Sequence, residues 1–385
     1  MIQRSATGPL AGLRVLDMTT SYAGPTAAMY LADLGADVVK IERPSGDDAR
    51  AWGPPFLGGT SAWFASANRN KRSVSLDIAR PDGRAALDLL LEGADVFIQN
   101  VNPAKLGKLG IDGDTLRRRY PRLIYCSLSG FGLDGPDAAS PGYDLVAQAR
   151  SGLMSVTGAK GGTPQRVSTA LSDIVTGMCA ALAISAAAVR QRETAEGDLI
   201  DVSLLDSDLA LMGPRLAAYR AGEPEPAPSG GTDSVLAMYQ AFGTADRELV
   251  IAIGNDALWR RFCAVVGLPE LAEDPALADN AGRRAQRERL VKAVSVVLGT
   301  RPAREWLDLL GAAKIPCSLV QRLSEVVADP QVVARGSLLP VPGHDAAVSI
   351  RSPFRLASIP QPRNERFPEL GEHTREVLSE AGYEF

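Results

Sequence analysis

The sequence predicts an α/β fold with a large, doubly wound, mainly parallel sheet of Rossmann-like type and a smaller α+β domain. Three observations carry this. Short β-rich apolar runs alternate with helical stretches through the first half, which implies crossovers and helices on both faces of a parallel sheet. At Gly222–Asp233, "GEPEPAPSGGTD", the composition turns abruptly to proline, glycine and acid, as in a linker or open loop. The 385 residues are enough for two hydrophobic cores.

In chain order, "LRVLDM" (Leu13–Met18) reads as a strand. "PTAAMYLADLG" (Pro25–Gly35) reads as a helix with proline in its first turn and glycine at its end. "DVVKIE" (Asp37–Glu42), "SVSLDI" (Ser73–Ile78), "DVFIQN" (Asp95–Asn100) and "LIYCSLSG" (Leu123–Gly130) follow as strands, with "PDGRAALDLLLEG" as a helix between the middle two. "GMCAALAISAAAV" (Gly177–Val189) is too short and alanine-rich to span a bilayer and reads as a buried helix. "DLIDVSLLDS" (Asp198–Ser207) reads as a further strand that runs into a helix around "LALMGPRLAAYRAG". Beyond the linker come a strand in "ELVIAIG", helices in "DALWRRFCAVVG" and "RRAQRERLVKAVSVVLG", and "REWLDLLGAAKIPCSLV". The expected division is a large domain over residues 1–221, a linker and small domain over 222–328, and a tail over 329–385 that returns to the large domain. Neither repeats nor low-complexity tracts occur.

Composition narrows the function. Hydrophobic residues are 45% and charged residues 22%, as in ordinary globular proteins. A net charge of −4 and 5% aromatics argue against a nucleic-acid partner. The four cysteines, Cys126, Cys179, Cys263 and Cys317, form no C-x-x-C pair and read as free thiols of a reducing cytoplasm. The N-terminus lacks a signal-peptide core, and no membrane association is expected. The two histidines, His344 and His373, stand beside no nucleophile motif, so a catalytic triad or a histidine zinc site lacks support.

Four features bear on chemistry. "DMTTSYAGPTAAM" sits where a strand hands over to a helix, a place whose free N–H groups favour an anion, although a plain turn reads the same way. No G-x-G-x-x-G is present, which leaves a nicotinamide oxidoreductase without its fingerprint. Arg43, Arg69, Lys71, Arg72, Lys105 and Lys108 fall near predicted strand ends, where they suit a ligand with several phosphates or simply face solvent. Asp173, in "TALSDIVTG", stands alone among small and apolar residues, with no second acid nearby in sequence. It or Ser172 could cap the following helix. It could also be a poorly hydrated carboxylate, kept ionised by helix N–H groups and reactive toward an activated carbonyl.

Taken in order, the segments "PLAGLRVLDMTTSYAGPTAAMYLADLGADVVKIERP", "NRNKRSVSLD", "ADVFIQNVNPAKLGKLG", "LIYCSLSGFGLDGP", "PGYDLVAQARSGLMSVTG", "LSDIVTG", "DVSLLDS", "NDALWRRFC" and "PELGEHTREVLSEAGY" resemble the family III CoA-transferases. This CaiB/BaiF group includes formyl-CoA transferase and carnitine CoA-transferase. The resemblance implies that Asp173 is the catalytic carboxylate, forming a mixed anhydride with the acyl group and then an aspartyl-CoA thioester. It implies coenzyme A as substrate, no metal, no nicotinamide, and contacts to CoA from Ser21, Tyr22, Arg43, Asn70, Lys71, Arg72, Asn100, Val101 and Lys108. Gly230 and Gly231, in "SGGT", match the glycine loop that covers the anhydride. Family members form interlocked homodimers, and the linker near Gly222–Asp233 would take part in the threading. Succinyl-CoA is a common donor among similar enzymes, and a small dicarboxylate acceptor fits with it. Arg50, Arg150 or Arg166 could pair with its distal carboxylate.

Some positions depart from the family pattern. Tyr22 stands where glutamine is frequent, Val101 where phenylalanine is frequent, "TAEGD" (Thr194–Asp198) replaces "TGKGQ", and the glycine loop is short. A 2-methylacyl-CoA racemase is the rival within the fold, but its "G-H-D" histidine is Tyr143 here, in Gly142-Tyr143-Asp144, and a phenol is a poor base at neutral pH. A CoA- or nucleotide-binding protein without transfer activity is the rival from another class, with Asp173 as a mere cap.

Overall fold

The structure, a computed structural model, describes residues 7–359 and 361–385. Two compact units emerge. The first comprises residues 1–153, 166–224 and 330–385, and the second residues 154–165 and 225–329. The segment 154–165, expected within the large domain, therefore clusters with the second unit.

The first unit is built on six parallel strands: β1 (Arg14–Met18), β2 (Asp37–Glu42), β3 (Lys71–Ser75), β4 (Val96–Gln99), β5 (Ile124–Ser129) and β6 (Leu199–Ser203). Their order, β3-β2-β1-β4-β5-β6, is that of a doubly wound dinucleotide-binding sheet, with the order reversing between β1 and β4. Its helices include α1 (Ala23–Asp33), α2 (Pro81–Glu92), α3 (Pro103–Leu109), α4 (Asp144–Arg150), α5 (Leu171–Thr194) and α6 (Leu204–Arg220), with further short helices at Ala62–Ala67, Gly113–Arg119 and Thr374–Glu380.

Both sheet faces are covered. Val15, Val38, Val96, Ile98, Ile124 and Cys126 pack under α1 and α5, whose Ala27, Ala28, Leu31, Ala180, Ile184 and Ala188 are buried with them. On the opposite face Leu16, Val39, Ile41, Val74, Phe97 and Tyr125 meet Leu87, Leu90 and Leu91 of α2. Successive residues such as Val15 and Leu16 thus enter different cores, as a strand's alternation demands. The free edge of β3 is closed by the chain around His373, whose N–H donates to Ser73 O (2.9 Å) and whose Nδ1 accepts from Ser73 N–H (3.2 Å).

Three elements of the first unit differ from the sequence expectation. The β3 strand begins at Lys71, two residues early, because its register pairs Lys71 with Val38 and Ser75 with Glu42. The β6 strand ends at Ser203, whose side chain accepts from Asp206 N–H and starts α6, so Leu204–Ser207 are helical. The α5 helix is not wholly buried: Leu182 is 73% and Val189 60% exposed. By length and apolarity alone α5 could cross a membrane, but its other side packs in the core described above.

The second unit has an antiparallel sheet of β7 (Tyr239–Gly243), β8 (Glu248–Ala252) and β9 (Cys317–Leu319), in the order β9-β8-β7. It packs with α7 (Asp256–Val266), α8 (Arg287–Leu298) and α9 (Ala303–Ala312) around Phe242, Leu249, Ile251, Trp259, Phe262 and Trp306. The charged stretch read as one helix is two, Asn280–Ala285 and Arg287–Leu298, broken at Gln286.

Candidate active site

Where the strand order reverses, the carboxyl ends of β1 and β4 lead their loops apart, and a crevice opens between them. It holds about 880 Å³ of open space. Thr20, Ser21 and Ala23 line it from the β1 side, and Asn100 through Pro103 from the β4 side. The segment Ser140–Tyr143 closes a third side, and Asp173 and Thr176 of α5 complete the wall.

Asp173 reaches this cleft because α5 approaches α1 very closely. A side chain at Gly177 would come within 2.7 Å of the Ala23 carbonyl oxygen and 2.9 Å of Thr26 Cβ. Glycine there lets the second turn of α5, one turn on from Asp173, lie against the first turn of α1. Neither helix start is capped by a side chain: the N-cap residues are Tyr22 for α1 and Ala170 for α5. The cap reading of Ser172 and Asp173 therefore does not hold. Pro25 has no N–H and Thr26 N–H is bonded to Tyr22 O (2.9 Å), so among the described residues the N–H groups of Ala23 and Gly24 are the ones at the start of α1 without a partner.

Asp173 is the third residue of α5 and half-buried, and no hydrogen bond to its carboxyl occurs among the described residues. Its expected helix donors are taken or turned elsewhere. Ser172 N–H donates to Asp144 Oδ1 (2.9 Å), and Ser172 Oγ donates to Asp208 Oδ2 (2.8 Å). Burial, followed by the charges of Asp144 and Asp208, pushes the Asp173 carboxyl up to about 7. The sequence expectation of a carboxylate kept ionised by N–H donors is thus reversed. Its isolation in sequence is reversed as well, because the fold brings two more acids to it. Asp144 is fixed by a bond from Gln148 Nε2 (2.7 Å). Asp208, from α6, is fully buried, and its Oδ1 has no partner.

The loop that lines the cleft after β1 is braced from below by buried charges. Lys40 Nζ donates to Thr19 O (2.8 Å) and pairs with Asp47 (3.0 Å), and Asp47 accepts from Ser21 N–H (3.1 Å). Ser21 is held at φ 70, in the left-handed region that side chains rarely adopt. Lys71 Nζ donates to Asp17 (2.9 Å), Pro25 O (2.8 Å) and Asn68 (2.8 Å). Burial pulls the Lys71 ammonium down to about 8, with Asp17 opposing and Lys40 adding to the drop.

The predicted site residues therefore separate. Ser21, Asn100, Val101 and Asp173 share the cleft. Asn100 clasps the opposite loop, accepting from Thr20 N–H (3.0 Å) and donating to Thr20 O (2.9 Å). Tyr22 lines an adjoining hollow with Trp63, Ser66 and Thr169, its hydroxyl 2.9 Å from Ser66 Oγ. Burial raises the pKa of that hydroxyl, and Asp173 is near enough to add to the rise. Lys108 is exposed on α3, and Arg43 is exposed, held by Gly46 O (2.9 Å) and Asp48.

Three of the basic-segment residues are committed to the fold. Asn70 is buried and bonded to Asp33, Arg363 O and Glu365 N–H. Lys71 is enclosed as above, and Arg72 is paired with Asp37, Glu376 and Glu380. As arranged, Asn70 Nδ2 and Lys71 Nζ spend their donors inside the fold, and Arg72 is held by three carboxylates. Gly230 and Gly231 belong to the second unit, at φ 69 and 79, with Gly230 N–H bonded to Gly158 O (2.9 Å). His344 stacks on Phe367, and His373 serves the β3 edge. Among the described residues no cluster of histidine, cysteine and acid is arranged to hold a metal.

Sequence reasoning missed Asp208, Ser172's double role, Thr176 and the Trp63–Ser66 hollow. Only Tyr143–Asp144 carried a signal, through the "GYD" motif.

Comparison with known proteins bears directly on this cleft. The chain matches CoA-transferase family III over residues 10–374. It is 37% identical over 381 residues to the succinate–glutarate CoA-transferase of Agrobacterium fabrum, covering 97% of this chain and 95% of that protein. It is 38% identical over 376 residues to the succinyl-CoA:glutarate CoA-transferase of Mus musculus, covering 97% and 86%. The crystal structure of a CaiB/BaiF family protein from Brucella suis superposes with a TM-score of 0.86 at 34% identity, covering 97% of this chain and 100% of that one. Agreement in sequence and fold from end to end leaves one conclusion: this chain belongs to CoA-transferase family III, and coenzyme A is its substrate.

Proposed function

We propose that the protein moves CoA from a dicarboxylic acyl-CoA, succinyl-CoA foremost, to a second carboxylic acid, with Asp173 as the covalent carrier. One observation carries this reading: a half-buried carboxyl without hydrogen bonds lines the switch-point cleft beside uncapped helix N–H groups. Such a carboxylate is poorly solvated and correspondingly nucleophilic.

In the first step an Asp173 oxygen attacks the thioester carbonyl carbon, the C–S bond breaks, and an acyl-aspartyl anhydride and CoA thiolate result. The thiolate then attacks Cγ of Asp173, giving an aspartyl-CoA thioester and the free donor carboxylate. An acceptor carboxylate attacks that thioester, forming a new anhydride and releasing thiolate. Thiolate attack on the acceptor's acyl carbon gives the new acyl-CoA and restores Asp173. One thioester is exchanged for another, so the reaction is nearly balanced, and the enzyme's task is to lower barriers and keep water from the anhydride. The α1 N–H groups suit the developing oxyanions. Exposed Lys108 and Arg43 suit the CoA phosphates. The Gly230–Gly231 loop is the counterpart of the family's covering loop.

The relatives' names, succinate–glutarate and succinyl-CoA:glutarate CoA-transferase, support dicarboxylate substrates. Of the three arginines considered, Arg50 is held by both Glu42 oxygens and stacks on Phe64, and Arg150 is paired with Asp137. Arg166 is half-exposed and 3.7 Å from an Asp144 oxygen already bonded to Gln148. Its guanidinium is steadied by Val167 O (3.0 Å) and Thr169 O (3.3 Å), and Thr169 lines the Tyr22 hollow. It is the arginine best suited to a distal carboxylate. An interlocked homodimer accords with the exposed apolar row Met178, Leu182 and Val189 on α5. A cytoplasmic location accords with four free cysteines.

The decisive test is a donor–acceptor screen with mass detection, followed by hydroxylamine trapping and peptide mapping. The adduct is expected on the peptide containing Asp173. Asp173→Ala and Asp173→Asn are expected to fold normally and lose transfer by at least about 10³-fold. Transfer surviving in either folded variant, or an adduct elsewhere, overturns the reading.

A further inference from the structure

Thr176 poses a problem that the fold does not solve. Its side chain is fully buried, yet its Oγ1 has no hydrogen-bond partner in the protein. A helical threonine ordinarily returns its hydroxyl to the carbonyl one turn back, here that of Ser172, and this one does not. A buried hydroxyl without a partner is costly, and such groups in native proteins call for an explanation. Thr176 also lines the cleft that contains Asp173. The two are three residues apart on α5, so they share a helix face with Cβ atoms about 5–6 Å apart. Side chains so spaced on one helix face can reach the carbon and the oxygen of a single carbonyl group lying across them.

We propose that Thr176 Oγ1 is a catalytic hydrogen-bond donor to the acyl oxygen of the thioester while Asp173 attacks its carbon. The hydroxyl keeps its proton throughout: it donates a hydrogen bond to the oxygen as negative charge gathers there, and no bond to Oγ1 forms or breaks. The fold leaves the donor unpartnered so that the reacting oxygen can claim it, with little reorganisation at the moment of attack. The inference rests on the Asp173 reading above and adds a residue to it.

The test uses the full-length protein, with succinyl-CoA as the probe and single-turnover acylation of Asp173 as the readout. Thr176→Val replaces the hydroxyl by a methyl group of similar size. It is expected to slow acylation by about 10²-fold, the usual effect of removing one oxyanion donor. Binding of succinyl-CoA should stay within about threefold, and the melting temperature should hold or rise, since a buried donor without a partner has been removed. Thr176→Ser is expected to recover most of the rate. A Thr176→Val variant that acylates at the wild-type rate overturns the proposal. So does one that loses binding and melting temperature together with rate, and so does a serine variant as slow as the valine one. If wild-type protein forms no adduct at Asp173, the Asp173 reading falls and takes this inference with it. If the adduct forms equally well with valine at 176, this inference alone falls.

Discussion

At the scale of single residues, the proposed chemistry turns on how Asp173 is deprived of partners. Ser172, its neighbour, gives its N–H to Asp144 and its hydroxyl to Asp208. The carboxyl that remains is raised to about 7 by burial and by those two acids. A group whose folded pKa lies above its unfolded value of 3.8 contributes stability that is fully present below 3.8 and lost as pH rises through about 7. At pH 8 the charged form therefore burdens the fold by an order-of-magnitude ~2–4 kcal/mol, the lower end allowing for solvent screening at a partly exposed group. Asp173→Asn should melt several degrees above wild type at pH 8, with the gap narrowing toward pH 5, in thermal scans across that range. An unchanged gap across the range would remove the electrostatic account. In the proposed mechanism only the ionised carboxylate attacks, so the same pKa predicts that the acylation rate of the free enzyme climbs with pH to a plateau above about 7.

At the scale of elements, two contacts build the site. One is the α1–α5 approach at Gly177, where an added methyl group would strike the Ala23 carbonyl at 2.7 Å. Gly177→Ala must push the helices apart, and overpacking of this kind costs about 1–3 kcal/mol. It should lower the melting temperature by a few degrees and slow acylation disproportionately, because α5 carries Asp173 and α1 carries the opposing N–H groups. Scanning calorimetry beside single-turnover kinetics checks both, and a variant matching wild type in both would show that the close approach is dispensable. The other contact is the buried lattice of Asp17, Lys40, Asp47 and Lys71 under the β1–α1 loop. The basic segment "NRNKRS" looked like phosphate-binding charge in the sequence. In the fold its charges are matched internally: Lys71 meets Asp17, Arg69 meets Asp33, and Arg72 meets Asp37, Glu376 and Glu380.

At the scale of the whole molecule, the parallel sheet brings the loops after β1 and β4 to one crevice, and strand order alone places the cleft there. The proposed interlocking of two chains has its own consequence. Sedimentation should give a mass twice that of one chain. Two differently tagged preparations, mixed after folding, should exchange no subunits until they are unfolded and refolded together. A monomeric mass, or rapid exchange in the native state, would dismiss threading and leave the exposed α5 row in need of another occupant.

Local pattern was enough to read the alternation of strands and helices, the parallel sheet and the segments around β1, β4 and α5, and with the family phrases it singled out Asp173. Those features arise within a few residues of one another, through turn chemistry, periodicity and helix start signals. The tertiary structure alone decided who meets whom. Ser172 finds Asp144 and Asp208 at separations of 28 and 36 residues, and Lys71 finds Asp17 at 54. No local signal distinguishes a lysine that faces phosphate from one that neutralises a buried acid, or an isolated aspartate from one in a cluster of three. The difference is made by chain closure, which brings distant charges into a low-dielectric interior where each must be matched or have its pKa shifted.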